Sequence, residues 1–253
     1  MQLAYAQSTH PVTQKLQKIV HHKKTNLALS ADVTDSKSLL KLVEQTADHI
    51  AILKTHIDIV SDFTPKLTQE LRQIADEGGF LVFEDRKFSD IGNTVSNQVR
   101  GGVYHIANWA DIINAHMLPG IGIIEGLKEG CKGRDIGLLL LAQMSSKNNL
   151  FSDEYTKKIV LEAEKNKDFV MGFIAQEKLS LDNDLLTMTP GVNFASKGDN
   201  LGQNHNTPEY VIAEKKSDII VVGRGIYSAG NPQKAACNYK EQAWDLLSES
   251  IGS

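Results

Sequence analysis

Short apolar runs punctuate the chain at a regular interval. They stand at residues 27–31, 50–55, 80–84, 112–115, 138–142, 169–174, 185–189 and 219–223. Continuous runs of this length suit strands buried on both faces better than helices. Most of the segments between them carry helical periodicity. Leu39, Leu40, Val43 and Ala47 recur at that spacing in the first, and Leu67, Leu71, Ile74 and Ala75 in the second. A further helix is predicted over residues 9–22, with Leu16, Ile19 and Val20 on one face. The basic run His21, His22, Lys23 and Lys24 suits its C-terminal end. Eight strands alternating with helices predict an α/β chain folded as a (β/α)8 TIM barrel, one domain over residues 1–253. The alternative is an open doubly wound sheet. It lacks its signature here, because Leu29, Ser30, Ala31, Asp32 and Val33 stand where a glycine-rich fingerprint would follow the first strand.

Composition narrows the partners. A formal net charge of −4 leaves no basic footprint for nucleic acid. The two cysteines, Cys131 and Cys237, form neither a metal spacing nor a disulfide framework. A reducing, cytoplasmic compartment is the expectation. The first residues, M-Q-L-A-Y-A-Q-S-T-H-P, lack a charged start and a long apolar run, so no signal peptide is expected. No run approaches the roughly 20 apolar residues of a membrane span.

Barrel chemistry sits at the C-terminal ends of the strands. The third strand ends in an unusual way: F-L-V-F-E-D-R-K-F-S-D-I-G-N-T over residues 80–94. Two-residue alternation puts Asp85 and Lys87 on one face, and Asp90 follows a break at Phe88-Ser89 where a helical pattern begins. A buried ion pair is a weak device for stability, so a surface pair or a working site are the two readings. Other strand ends add Ser30 and Asp32, Lys54 and His56, Asn114 and His116, and Gln143 and Ser145. Each has a modest explanation alone. Asp32 could cap the helix starting near Asp35, Lys54 could reach out of the rim, and His56 and His116 could be ordinary rim histidines. No two histidines lie at metal-binding spacing, so no metal is expected. What those explanations omit is the convergence of Asp32, Lys54, Asp85 and Lys87 on one rim. Such a network can press a carboxylate against a substrate carboxylate and keep an ammonium ready as proton donor.

A phosphate site is expected separately, in the loops after strands seven and eight. They carry Gln203 and the sequence Gly223-Arg224-Gly225, where a guanidinium and close backbone N–H groups suit phosphate. The polar segment 193–206 reads as a lid or substrate clamp, with a plain connection as the alternative.

These residues resemble the orotidine 5′-phosphate decarboxylase family. The matching segments are L-A-L-S-A-D-V (27–33), L-K-T-H-I-D-I (53–59), F-E-D-R-K-F-S-D-I-G-N-T (83–94), M-T-P-G-V (188–192) and V-V-G-R-G-I-Y (221–227). The resemblance runs from about residue 10 to 247, and its forms look most like fungal enzymes and the C-terminal half of the animal bifunctional synthase. It implies decarboxylation of orotidine 5′-phosphate to uridine 5′-phosphate without metal, flavin or pyridoxal. It further implies that Lys54, Asp85, Lys87 and Asp90 form a charged tetrad. Asp90 and Thr94 would be supplied to the neighbouring subunit of a homodimer, projecting together one helical turn apart. Ser30 would be among the substrate-binding residues, and Asp32 would bind the ribose, aided by Lys54 and Thr94. Ser145 would contact the pyrimidine, Pro190 would line the base pocket, and Gln203 and Arg224 would hold the phosphate. The family places a tyrosine two residues after that glutamine, whereas this chain has His205. A magnesium-dependent phosphosugar decarboxylase of the same barrel group shares the D-x-K block but not the other segments. A catalytically silent nucleotide-binding barrel is the reading from a different class.

Overall fold

Parallel strands covered on both faces favour apolar residues, and the observed strands are mostly apolar, with the polar exceptions concentrated toward their C-terminal ends. The computed structural model describes residue 3 and residues 5–180, 184–194 and 206–252, with residues 251 and 252 described for their backbone only. Its strands are β1 (Leu27–Ser30), β2 (Ile52–Thr55), β3 (Leu81–Phe88), β4 (Ile112–Ala115), β5 (Gly137–Leu141), β6 (Val170–Ile174), β7 (Leu186–Thr189) and β8 (Ile219–Val222). Each neighbour pair is parallel, and β8 closes back on β1 through Leu27↔Ile220 to Leu29↔Val222. The eight apolar runs are thus the eight staves of a closed barrel. In β1, β2 and β4 to β8 every residue is buried.

Helices cover the outside. They are α1 (Pro11–Lys23), α2 (Ser36–Thr46), α3 (Pro65–Gly78), α4 (Gly92–Arg100), α5 (Gly122–Gly130), α6 (Asp153–Lys165), the short α7 (Arg224–Tyr227) and α8 (Pro232–Gly252), with a π-helical turn at Tyr210–Glu214. Local chemistry starts them. His10 caps α1 by accepting from the Val12 N–H, and Pro11 takes the first position, where its missing N–H costs nothing. Asp35 and Ser152 cap α2 and α6 in the same way. In α2 the buried stripe is Leu39, Leu42, Val43 and Thr46, so Leu40 and Ala47 lie at its edge rather than in it. Helices α4 and α5 cross closely because Gly92 and Gly126 meet there; a Cβ on Gly126 would collide with the Gly92 backbone. Among the described residues no helix is long and apolar enough to cross a membrane.

The third strand runs beyond its apolar part to the break expected at Phe88-Ser89, but it is not regular. It does not stop at Glu84 but continues through Asp85, Arg86 and Lys87 to Phe88. Its register against β4 shifts from Glu84↔Ile113 to Phe88↔Ala115, so three residues of β3 oppose one of β4. Lys87 takes a left-handed backbone conformation there, with φ 51°. Bulges of this kind re-aim side chains beside active sites.

Candidate active site

The bulge decides what the rim looks like. Opposite it stands a single residue, Asn114 at the end of β4. Its Oδ1 accepts from the Lys87 N–H at 2.7 Å, and its Nδ2 donates to Asp85 Oδ1 at 2.6 Å. The side chain of Asn114 therefore replaces the missing ladder bond and fixes Asp85 at once. Lys87 Nζ lies 2.6 Å from the same Asp85 Oδ1, while Lys54 Nζ donates to Oδ2 at 2.8 Å. One carboxylate thus stands between two ammonium groups carried by two strands.

The network extends to β1. Lys54 Nζ is 3.7 Å from Asp32 Oδ1, and the Ser30 hydroxyl donates to that oxygen at 2.8 Å. Asp32 is therefore held in the site, and the capping role falls to Asp35, which accepts from the Ser38 N–H. His56 Nε2 lies 2.8 Å from Lys54 Nζ and 3.3 Å from Asp85 Oδ2. Burial and the Lys54 charge lower its pKa, which favours a neutral ring accepting from Lys54. Burial alone would raise the Asp85 carboxyl, but Lys54 and Lys87 override it and hold Asp85 well below the usual carboxylate range.

These groups open into a cavity of about 260 Å³ at the C-terminal mouth of the barrel. Its floor is apolar, from Phe83, Leu141, Ile174 and Val221. Ser145 after β5, Pro190 after β7, and Gly223, Arg224 and Gly225 after β8 also line it. Gly225 packs closely on Tyr239: a Cβ there would meet its hydroxyl at 2.5 Å, so the ring would have to shift. The cavity is thus charged on one side and apolar below, a shape that suits an orienting site for a small polar ligand. Among the described residues no group of three His, Cys, Asp or Glu side chains is placed to hold a metal ion.

Eight of the predicted site residues line this one cavity: Ser30, Asp32, Lys54, Asp85, Lys87, Ser145, Pro190 and Arg224. Two do not. Asp90 is exposed and Thr94 half-buried, and neither touches the cavity of its own chain. The helix begins at Gly92, so Asp90 precedes it and accepts from the Ile91 N–H at 2.7 Å; the two are not one helical turn apart. Gln203 and His205 lie outside the described residues, as does most of the segment 193–206. Asn114 and His56 are the site residues that sequence reasoning did not assign. The signal for Asn114 was present, a lone polar residue inside the apolar run I-I-N-A. His116 proves peripheral: it is half-buried, outside the cavity, with its ring against Phe151.

The same convergence of residues coincides with a family match. The model of the "Orotidine 5′-phosphate decarboxylase / HUMPS family" matches residues 25–239. The chain belongs to this family. Its family relatives include the orotidine 5′-phosphate decarboxylase of Rhizomucor pusillus, 50% identical over 238 residues, covering 92% of this chain and 90% of that protein. They also include the uridine 5′-monophosphate synthase of Bos taurus, 46% identical over 237 residues. The match covers 94% of this chain but 49% of the bovine protein, so the chain spans about half of that relative. A solved orotidine 5′-monophosphate decarboxylase from Methanocaldococcus jannaschii, complexed with the inhibitor BMP, shares the barrel. Its TM-score is 0.69 at 23% identity, covering 86% of this chain and 97% of that one.

Proposed function

We propose that the protein, acting through one barrel domain in the cytoplasm, decarboxylates orotidine 5′-phosphate to uridine 5′-phosphate and carbon dioxide. The observation that carries this reading is the Asp85 carboxylate held between the ammonium groups of Lys54 and Lys87 on the wall of an apolar-floored cavity. The family membership and the names of the relatives support the choice of substrate.

The chemistry follows from charge. Breaking the bond between the ring carbon and its carboxylate leaves an electron pair on that carbon, with no adjacent carbonyl to spread it. Carbon dioxide departs neutral. Lys87 faces the developing charge, stabilises it, and donates one proton to the ring carbon. It then recovers a proton from solvent. Asp85 holds Lys87 charged and opposes the substrate carboxylate, favouring its loss. Lys54 holds Asp85 and, with Asp32 and Ser30, orients the ribose. Ser145 reads the pyrimidine edge and Pro190 packs on the base. Arg224 with Gln203 holds the phosphate, whose binding energy orders the reacting end. Side chains supply every charge in this scheme, so no metal or organic cofactor is invoked. Asp90 and Thr94 reach the site of a second copy in a homodimer, which accounts for their distance from the cavity of their own chain.

The test is the ultraviolet absorbance of orotidine 5′-phosphate in the presence of chelator-treated protein. Loss of substrate absorbance with stoichiometric uridine 5′-phosphate supports the reading. Activity that needs added magnesium would favour the phosphosugar decarboxylase reading, and tight uridine 5′-phosphate binding without turnover would favour a silent barrel.

A further inference from the structure

Directly behind the charged network lies a carboxyl group the mechanism does not use. Glu84 is fully buried on β3, one residue before Asp85. Strand alternation turns the two to opposite faces, Asp85 into the cavity and Glu84 away from it. Glu84 Oε2 is 2.7 Å from the Thr55 hydroxyl, and the Ile57 N–H donates to Oε1 at 3.0 Å. Thr55 is also the register partner of Glu84 in the barrel.

The two residues gripped by Glu84 alternate with the two that matter in the cavity. Lys54 and His56 face inward, and Thr55 and Ile57 flank His56 on the other side. Strand β2 ends at Thr55, and a 3-10 turn starts at Ile57. The first N–H groups of such a turn have no partner within it, so a carboxyl oxygen meets a need the backbone leaves open. No cation pairs with Glu84 among the described ion pairs. The carboxylates of Asp58 and Asp85 lie near it, and burial raises its pKa to about 8. A neutral acid at this place leaves Asp85 as the single negative charge at the end of β3.

We propose that Glu84 is a positioning residue: from the back of the barrel wall it ties the end of β2 to β3 and so sets Lys54 and His56 against Asp85. The claim rests on the reading of the cavity as a decarboxylase site. A misplacement of about 1 Å at reacting groups can cost on the order of 100-fold in rate.

The experiment compares wild type, Glu84→Gln, Glu84→Ala and Thr55→Val in turnover of orotidine 5′-phosphate, in uridine 5′-phosphate affinity, and in the ¹⁵N resonances of the His56 ring. Glu84→Ala should lower kcat about 10- to 100-fold and shift the His56 resonances, with affinity for the nucleotide changed less than threefold. Glu84→Gln keeps the reach and the neutral charge, and should restore kcat to within about threefold of wild type. Should Glu84→Ala fail to fold, Thr55→Val removes one bond of the grip and should show the same shift in a smaller form. Unchanged kcat and unchanged His56 resonances in folded Glu84→Ala or Thr55→Val would overturn the proposal. So would a Gln variant as impaired as the Ala variant. Absence of turnover in the wild type would instead strike the decarboxylase reading, and the His56 resonances would still decide whether Glu84 positions the rim.

Discussion

Lys87 and Asp85 meet at 2.6 Å although the strand that carries both is bulged between them and the next ladder pair. Lys87 holds a left-handed backbone at that point. A non-glycine residue in this region costs roughly 1–3 kcal/mol and persists only where surrounding structure enforces it. Asn114 does the enforcing, bonded to the Lys87 backbone and the Asp85 side chain. The fold thus spends stability to aim one ammonium.

Removing Asp85 should expose that strain electrostatically. Lys54 is buried and would lose its closest carboxylate, and Lys87 would face it across the vacated position. Breaking a buried pair by deleting one partner costs about 3–5 kcal/mol. Asp85→Ala should fall near the lower end, since Lys87 is 34% exposed and water screens it. Urea unfolding at neutral pH measures this; a variant as stable as wild type would mean the network is not held together by Asp85.

Glu84 gives a stability effect of opposite sign with pH. Its pKa rises from an ordinary 4.5 to about 8 in the folded chain. Below the ordinary value both folded and unfolded chains hold the proton. Between 4.5 and about 8 the folded chain keeps a proton that the unfolded chain releases, so stability falls as pH rises. Glu84→Gln removes that dependence. Its stability relative to wild type should therefore climb steadily from pH 5 to pH 8, read by denaturant midpoints. A flat difference across that window would show that Glu84 ionises normally.

Much of this was legible in the sequence, and the physical reasons are specific. Strands covered on both faces demand unbroken apolar runs, so all eight staves stood out. Helices needed only one apolar stripe and were located with small errors, as at Leu40 and Ala47. The strand character of Asp85 to Lys87 was legible, but the bulge was not, because it depends on pairing with β4, which resumes only at Phe88. Asn114 was noted at a strand end without a role, and Glu84 was given none, for a related reason. Each sits at the end of an apolar segment and its partners come from other strands, so the sequence shows a polar residue there but not what it holds. Asp90 stood out in the charged block, but a site role for it and for Thr94 is implied by resemblance alone; the geometry of one chain leaves them outside its own cavity.

That separation makes a subunit-mixing prediction. Asp90→Ala chains and Lys87→Ala chains should each be inactive as pure samples. After subunit exchange, one site in each mixed dimer regains both groups, and activity should reappear, up to about a quarter of the wild-type level for random exchange if such dimers form half the population. No recovery after exchange has been verified by mass would argue that each site is built from one chain.

The most direct measurement concerns Lys87 itself. Lys87→Ala should abolish decarboxylation of orotidine 5′-phosphate while uridine 5′-phosphate binding, followed by calorimetry, survives within about tenfold. Losing the proton donor and leaving the phosphate and ribose contacts intact has that signature. Near-normal turnover in a correctly folded Lys87→Ala protein would contradict the account.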